Sequence, residues 1–471
     1  MVNPNLKRIF IRRSLVAGAL AMAILAGLNG CCCLPHHPVA SAEVLRDIAA
    51  QGRPSRLKAA VAEPARTAVQ YEVGGRIYHA DLYRSRTQTE AGILLVPGAA
   101  ESGKDDPRLV AFAQTLAREQ FAVLVPDLAD FRQFNLGPRN TREVADGLTY
   151  LASRPDLAPQ GHVGAAATSY YAVGPIILAA LAPDLRDKIQ FVVGVGGYYD
   201  LEKAVAFFTT GYFRNYAKKE SPWQYQEPNT YGKWVFVRSN AGRLSSPTDR
   251  AMLQEIARRK LEHSDAPVEL LAARLGPQGR AYYELITNKD PNRTPELLAN
   301  LPAELKAEFD AINLARHDLS RLKARLILFH GYDDGIVPYT EIIALANAVP
   351  KGQARLFLIH GLAHVNLEKI GLRDRWRLWC GLDALLNERA RKPSGKLPHQ
   401  ARQTASPAVH ITSRKLLFIP FVVHHKGDPC IEPVLNNLVL FHHRLHVVDP
   451  HATSDAGGGS PRPRSQGRVS G

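Results

Sequence analysis

Between about residues 65 and 390 the chain predicts an α/β architecture, a mostly parallel sheet with helices on both faces and a helical insertion before its last two strands. Three observations predict it. Short apolar runs recur, separated by helical segments of about 10–15 residues, which is how a sheet covered on both faces reads. The rhythm stops at Leu201 and returns only at Ala324. Reactive residue types gather just past the apolar runs, where open parallel sheets place their functional groups.

The elements follow in order. Ala68–Val73 and Gly75–Tyr83 pair around a Gly74-Gly75 turn. Gly92–Val96 is a buried strand ending in Pro97-Gly98, followed by a helix over Arg108–Gln120. A second buried strand, Phe121–Val125, ends in Pro126-Asp127, and a helix covers Asn140–Ser153. Strand His162–Ala167, helix Gly174–Leu181 and strand Ile189–Val195 come next. From Leu201 to about Leu322 the segments are helical, charged and rich in aromatics. Strands Ala324–Phe329 and Ala354–Ile359 and a helix over Arg373–Glu388 close the unit. No repeat of 20–50 residues is visible.

The chemistry sits just beyond these strands. Gly92–Val96 leads into Pro97-Gly98-Ala99-Ala100, a small-residue turn able to aim backbone N–H groups at a developing oxyanion. His162–Ala167 leads into Thr168-Ser169-Tyr170-Tyr171, and Ala324–Phe329 into His330-Gly331-Tyr332-Asp333-Asp334-Gly335-Ile336-Val337-Pro338. Ala354–Ile359 leads into His360-Gly361-Leu362-Ala363-His364. Ser, then Asp, then His, each one turn past a strand, is the set that nucleophilic acyl transfer requires. A hydroxyl attacks, an imidazole takes its proton and a carboxylate orients the imidazole.

Over residues 65–390 the chain resembles the α/β-hydrolase superfamily. The stretch HGYDDGIVP is similar to the family's HG-x-x-D-x-x-V-P, which implies Asp334 as the triad acid. GLAH is similar to the G-x-x-H before the last helix, which implies His364 as the base. The VPGAA turn occupies the place of the oxyanion loop and implies N–H donors at Ala99 and at Tyr170, the residue after the nucleophile. The insertion over 201–322 stands where the family carries its cap. The family's G-x-S-x-G is represented by Ala167-Thr168-Ser169-Tyr170-Tyr171, which departs from it at Tyr171. Counting from Val163-Gly164 puts the nucleophile on Ser169; counting back from Gly174-Pro175 puts it nearer Tyr170, implying one extra residue or a distorted elbow.

Each of these residues also has a plainer reading. Ser169 can be an ordinary turn residue, Asp333 or Asp334 can cap the helix starting near Tyr339, and His364 can be a surface turn residue. His330 and His360 read as structural, bonding loop backbone. Asp105 and Asp106 read as caps of the helix that follows them. Asp200, ending GGYYD, is a second choice for the acid. The aromatic cluster 197–213 either lines an acyl pocket or is core.

Composition bounds the rest. The chain has 471 residues, 45% hydrophobic and 22% charged, which excludes collagen, coiled coil and wholesale disorder. The net charge of +15 belongs to the ends: Lys7, Arg8, Arg12 and Arg13 precede residue 30, and residues 391–471 hold 11 Lys/Arg against 4 Asp/Glu. A nearly balanced middle gives no basic stripe interleaved with aromatics, so nucleic acid is not an expected partner. No HExxH, CxxC pair, Walker loop or GxGxxG is present, and no metal or organic cofactor is expected.

The first 33 residues read as a signal or anchor region. A basic start precedes the apolar run Leu15–Leu28, which stops at Leu28-Asn29-Gly30-Cys31 and resembles a bacterial lipoprotein signal with Cys31 as the lipidated residue. Cleavage after Ala40-Ser41-Ala42, giving a soluble periplasmic or secreted protein, and an uncleaved anchor are the alternatives. An exported, lipid-anchored envelope protein is therefore expected. Cys31, Cys32 and Cys33 are contiguous and lack metal-ligand spacing, Cys380 reads as a buried thiol in a helix, and no disulfide framework is apparent. The organisation is then 1–33 signal or anchor, 43–200 core, 201–322 cap, 323–390 core and 391–471 a basic tail with 8 of the 17 His, its end expected to be disordered.

Three functions fit: an exported hydrolase of a small ester-like substrate, an impaired relative that binds ligands at the envelope, and an acyltransferase. Reactivity of Ser169 separates the first two, and product analysis with alcohol acceptors identifies the third.

Overall fold

The computed structural model describes residues 35–50, 52–215, 221–363, 366–367 and 371–391. Among them, eight strands form one sheet: β1 (Ala65–Val73), β2 (Arg76–Arg84), β3 (Ala91–Val96), β4 (Phe121–Pro126), β5 (Val163–Thr168), β6 (Ile189–Val195), β7 (Arg325–Gly331) and β8 (Ala354–Ile359). Their order is β1-β2-β4-β3-β5-β6-β7-β8. The β1–β2 hairpin and the β2–β4 pair are antiparallel, and β4-β3-β5-β6-β7-β8 is parallel throughout. β3, β4 and β5 are buried along their whole length, which is why they read as unbroken apolar runs instead of alternating ones.

Helices cover both faces. On one side lie α1 (Pro38–Ala50), α2 (Pro107–Arg118) and, at the end of the core, α12 (Leu372–Ala390). Leu109, Leu116, Leu378 and Leu385 pack there against Ile93, Val123 and Ile327. On the other side lie α3 (Pro138–Ala152), α4 (Tyr170–Leu181) and α11 (Tyr339–Ala348), with Val144, Leu148, Ile176 and Ile342 against Leu94, Ala165 and Leu328. Asp106 caps α2 through the Arg108 N–H, as the sequence suggested, whereas Asp105 pairs with Arg66.

Helix α1 is an addition to the elements read from the sequence, which begin at Ala68. It is docked by polar contacts. The His36 and His37 N–H groups donate to Asp383 of α12 at 3.0 and 2.6 Å, and the Trp379 indole donates to the Pro38 carbonyl at 3.2 Å. Buried Asp47 accepts from Thr115 at 2.7 Å and pairs with Lys58 at 2.8 Å. Burial alone would raise the Asp47 pKa, but bonds from Lys58, Ser55 and Thr115 hold it below the usual carboxylate value. Cys380 of α12 is buried, but it is disulfide-bonded, which corrects the free-thiol expectation. Its partner lies outside the described residues, as do residues 1–34 with Cys31, and the tail from 392 onward.

The segment after β6 is a cap of short helices: α5 (Leu201–Thr210), α6 (Thr230–Asn240), α7 (Pro247–Glu262), α8 (Pro277–Ile286), α9 (Thr294–Ala299) and α10 (Ala303–Ile312). A two-residue ladder joins Tyr212–Phe213 to Gln224–Tyr225, a small departure from the all-helical reading. The cap has its own core, with Trp234, Val237, Leu253, Ile256 and Tyr282 at its centre. Its two ends are tied to the sheet. The Tyr198 hydroxyl donates to the Ile312 carbonyl at 2.7 Å, the Leu201 N–H donates to Asn313 at 3.0 Å, and the Asn229 N–H donates to the Gly335 carbonyl at 2.8 Å.

Candidate active site

Sheet register brings the candidate residues to one edge. Val96 of β3 is level with Ala167 of β5, Thr168 with Val195 of β6, Val195 with Phe329 of β7, and Gly331 with Ile359 of β8. Ala99, Ser169 and Asp334 therefore leave the sheet at its carboxyl end, one to three residues past their strands, with neighbouring strands about 4.8 Å apart.

Ser169 is the junction between β5 and α4. Its backbone sits at φ 76° and ψ 151°, outside the negative-φ regions a side chain normally tolerates, and the residue is fully buried. A non-glycine residue there is strained, and such strain persists where surrounding structure over-determines it. The restraints are visible. The Ser169 N–H donates to the Val195 carbonyl at 2.7 Å, while its own carbonyl accepts from the Ala172 and Val173 N–H groups at 3.1 Å. Helix α4 starts at Tyr170 instead of Gly174, so no extra residue stands between strand and helix. Tyr170 thus carries the first N–H of α4, one of the four that a helix leaves without an intrahelical acceptor.

Tyr171, the departure from the expected small residue, is accommodated without moving the elbow. Its ring meets Phe131 edge-on at 6.1 Å and its hydroxyl donates to the Phe134 carbonyl at 3.0 Å. The close approach of helix to sheet is granted one turn later. A Cβ on Gly174 would lie 2.5 Å from the Tyr198 hydroxyl, and one on Gly197 would lie 2.6 Å from Val173.

Asp334 is fully buried in the turn after β7. Its Oδ1 accepts from the Ile336 and Val337 N–H groups at 2.8 and 3.0 Å. Fully buried His330 lies 3.4 Å from its Oδ2 and donates from Nε2 to the Val337 carbonyl at 2.9 Å, so it ties the turn closed. The helix after this turn is capped by Pro338, not by either aspartate. Asp333 instead accepts from the Gly361 N–H at 2.7 Å, joining the β7 turn to the β8 turn. The same two turns meet at Gly331, where a Cβ would fall 1.6 Å from the Leu362 carbonyl. His360 stacks on Tyr332 at 4.3 Å and is directed to Asp374 at 3.5 Å. His364, the residue the resemblance implies as base, lies outside the described residues.

The remaining candidates separate. Ala99 is buried in the turn after β3, beside the elbow strand. Asp200 is the N-cap of α5, accepting from the Glu202 N–H at 3.1 Å and pairing with Lys203 at 3.0 Å, which engages it away from an acid role. Sequence reasoning passed over Glu341. This buried carboxylate in the first turn of α11 accepts from the Tyr199 and Asp200 N–H groups at 3.3 and 2.7 Å, clamping the β6 turn to the helix beyond the Asp334 turn. Burial pushes it up to about 7.

Between the site and the cap lies an apolar cavity of about 130 Å³. Tyr170, next to Ser169, and Ile336 and Val337, whose N–H groups donate to Asp334, form part of its wall together with Leu201, Ala204 and Phe208 of α5. The aromatic cluster 197–213 is therefore divided: Tyr198 and Phe208 reach the cavity, while Phe207 packs edge-on against Phe213 at 5.5 Å. Among the described residues no group of three His, Cys, Asp or Glu is placed to hold a metal ion, and no helix is long and apolar enough to cross a membrane.

The strand order, the strained elbow at Ser169 and the insertion after β6 together make this an α/β-hydrolase fold. No protein-family model matches the chain, and no curated protein matches it. Solved structures do. A puromycin-hydrolyzing peptidase from Mycobacterium tuberculosis is 13% identical, with a TM-score of 0.39, over 70% of this chain and 40% of its own. The acylaminoacyl peptidase of Pyrococcus horikoshii is 10% identical, with a TM-score of 0.37, over 72% and 44%. A dienelactone hydrolase from Anabaena variabilis is 15% identical, with a TM-score of 0.34, over 69% and 94%. The chain thus spans less than half the length of the two peptidases.

Proposed function

We propose that the protein is a serine hydrolase that cleaves a carboxylic ester through an acyl-enzyme. The observation that carries this reading is Ser169 held at φ 76° between a buried parallel strand and the first turn of a helix. In the reaction His364 takes the Ser169 hydroxyl proton as Oγ attacks the ester carbonyl carbon. The carbonyl π-electrons move to oxygen, and the N–H groups of Tyr170 and Ala99 hold the resulting oxyanion, worth about 10²–10³ in rate per donor. Collapse expels the alkoxide, which receives the proton from His364. Water, deprotonated by the same imidazole, then attacks the acyl carbon and returns Ser169. Asp334 orients the imidazole and stabilises its charged form. The apolar lining of the cavity beside Tyr170 supports an uncharged acyl or alkyl group over a charged peptide.

Export with a lipid on Cys31 is part of the proposal, and one feature supports it. A cut after Ala42 would remove the first turn of α1 and the His36 and His37 N–H groups that Asp383 binds, whereas a cut before Cys31 leaves that docking whole.

The test is fluorophosphonate labelling of the purified chain lacking residues 1–33, beside a Ser169→Ala control. Labelling lost in the control is expected. Folded protein that never labels would move the function to ligand binding at the envelope.

A further inference from the structure

A nucleophile with no solvent exposure needs a route for its substrate, and the shape of the cap marks one. The cavity ends at Arg243, just after α6, and at Glu308 of α10, and these two side chains form an ion pair. On the far side of the pair a second pocket opens to the surface, walled by Asp130, Asn135, Gly137 and Arg139. Leu136, Arg243 and Glu308 line both spaces. The ion pair thus stands between an apolar cavity and a more open vestibule lined by polar side chains.

The two partners are held unequally. Arg243 is braced, its Nη1 donating to the Leu136 carbonyl at 2.7 Å and to Asn240 at 3.2 Å. Burial lowers its pKa, yet a guanidinium stays charged throughout the working range. Glu308 is the more exposed of the two and sits on a two-and-a-half-turn helix at the end of the cap. Release of Glu308 would open the partition while Arg243 stays in place, which is how a small gate works.

Inside, the lining is aliphatic and aromatic, with Leu201, Ala204, Phe236, Ile286 and Leu298 among it. One polar feature interrupts it. The Tyr282 hydroxyl is buried with no hydrogen-bond partner among the described residues, at the end of the cavity near Arg243. A buried hydroxyl left unpaired is costly, so a ligand oxygen that meets it gains affinity. An apolar cavity of about 150 Å³ holds a benzene ring, and the one here is about 130 Å³.

We propose that the Arg243–Glu308 pair is the gate of the substrate cavity, and that the cavity takes an uncharged group about the size of a phenyl ring whose oxygen accepts from Tyr282. That the ligand is a substrate rests on the hydrolase reading above; the gate and the cavity do not.

The experiment uses the Ser169→Ala chain and methyl 4-fluorophenylacetate as probe, with binding rates read from ¹⁹F NMR line shapes. Adding Glu308→Ala is expected to raise the on- and off-rates together by about two- to fivefold, the scale of a partly exposed ion pair, with the dissociation constant little changed. Tyr282→Phe is expected to weaken binding by about fivefold. Ala204→Trp, which fills the cavity, is expected to abolish binding, and the milder Ala204→Leu to weaken it in a chain with a native unfolding transition. Unchanged rates in Glu308→Ala, or undiminished binding in both Ala204 variants, would overturn the proposal. Gated binding in a protein whose unmutated form never reacts with fluorophosphonate would leave the gate standing and overturn its role for a substrate. Fluorophosphonate labelling without gated binding would overturn the gate alone.

Discussion

The carboxyl edge of the sheet and the cap above it are built on opposite terms. At the edge, position is fixed by backbone: the elbow is pinned by the Val195 carbonyl, Asp334 by two N–H groups, and the β7 and β8 turns by Gly331 and Asp333. The cap is joined to the sheet by a few bonds such as Tyr198 to Ile312, and it packs around a cluster of its own. The difference teaches a division of labour. Damage to the edge should remove reaction with every substrate, whereas damage to the cap should change which substrates react.

The largest expected effect breaks that comparison if it fails. Ser169→Ala should lower kcat for every ester by at least about 10³-fold, with circular dichroism unchanged, because the remaining binding and oxyanion contacts supply only residual catalysis. Asp334→Asn should cost about 10²–10⁴ in kcat through misorientation of the base, measured beside thermal unfolding, since its bonds to Ile336 and Val337 can be kept by the amide oxygen. Both losses should be uniform across an ester panel.

Gly331→Ala asks whether the edge is rigid. The new methyl would meet the Leu362 carbonyl, so unfolding in urea should show a loss of more than about 3 kcal/mol, at the upper end for overpacking. Less than about 1 kcal/mol would mean the β8 turn yields.

Glu341→Gln sharpens the boundary between the two regions, because this carboxylate clamps the turn from which the cap departs. Burial raises it from 4.5 to about 7, against the opposing pull of the Asp200 and Tyr199 N–H groups. The folded chain then keeps a proton that the unfolded chain releases, so its contribution to stability is largest below 4.5 and declines as pH rises through 7. The amide should flatten that decline by about 3 kcal/mol in denaturation curves taken across the window; an unchanged slope would mean that the carboxyl titrates normally. Tyr198→Phe should do least, about 1 kcal/mol for the lost bond to Ile312, with a change in the ratio of rates for long and short esters exceeding the change in either stability or labelling.

Legibility in the sequence divides along the same line. β3, β4 and β5 were readable because burial on both faces leaves apolar runs with turn residues at their ends. The turn that holds Asp334 was readable because it is encoded locally, by Gly335 and by the N–H groups two and three residues on. The start of α4 was misplaced because Gly174-Pro175 looks like a boundary, yet Pro175 is tolerated inside the helix. Glycine at 174 serves the approach of Tyr198, not a helix end. α1 escaped notice because it is docked by Asp383 and Asp47, contacts separated by hundreds of residues or by a helix that sequence periodicity does not record. The Arg243–Glu308 partition could not be read at all, since two charges 65 positions apart in a charged segment carry no local signal.

The central claim is that Ser169 becomes acylated. The most direct measurement is intact-mass analysis, followed by peptide mapping, of protein quenched in acid during turnover of p-nitrophenyl phenylacetate. The account predicts a transient mass increase of one phenylacetyl group on the peptide containing Ser169, absent in Ser169→Ala. Ester turnover that continues in Ser169→Ala, or an acyl group trapped on a different residue, would contradict it.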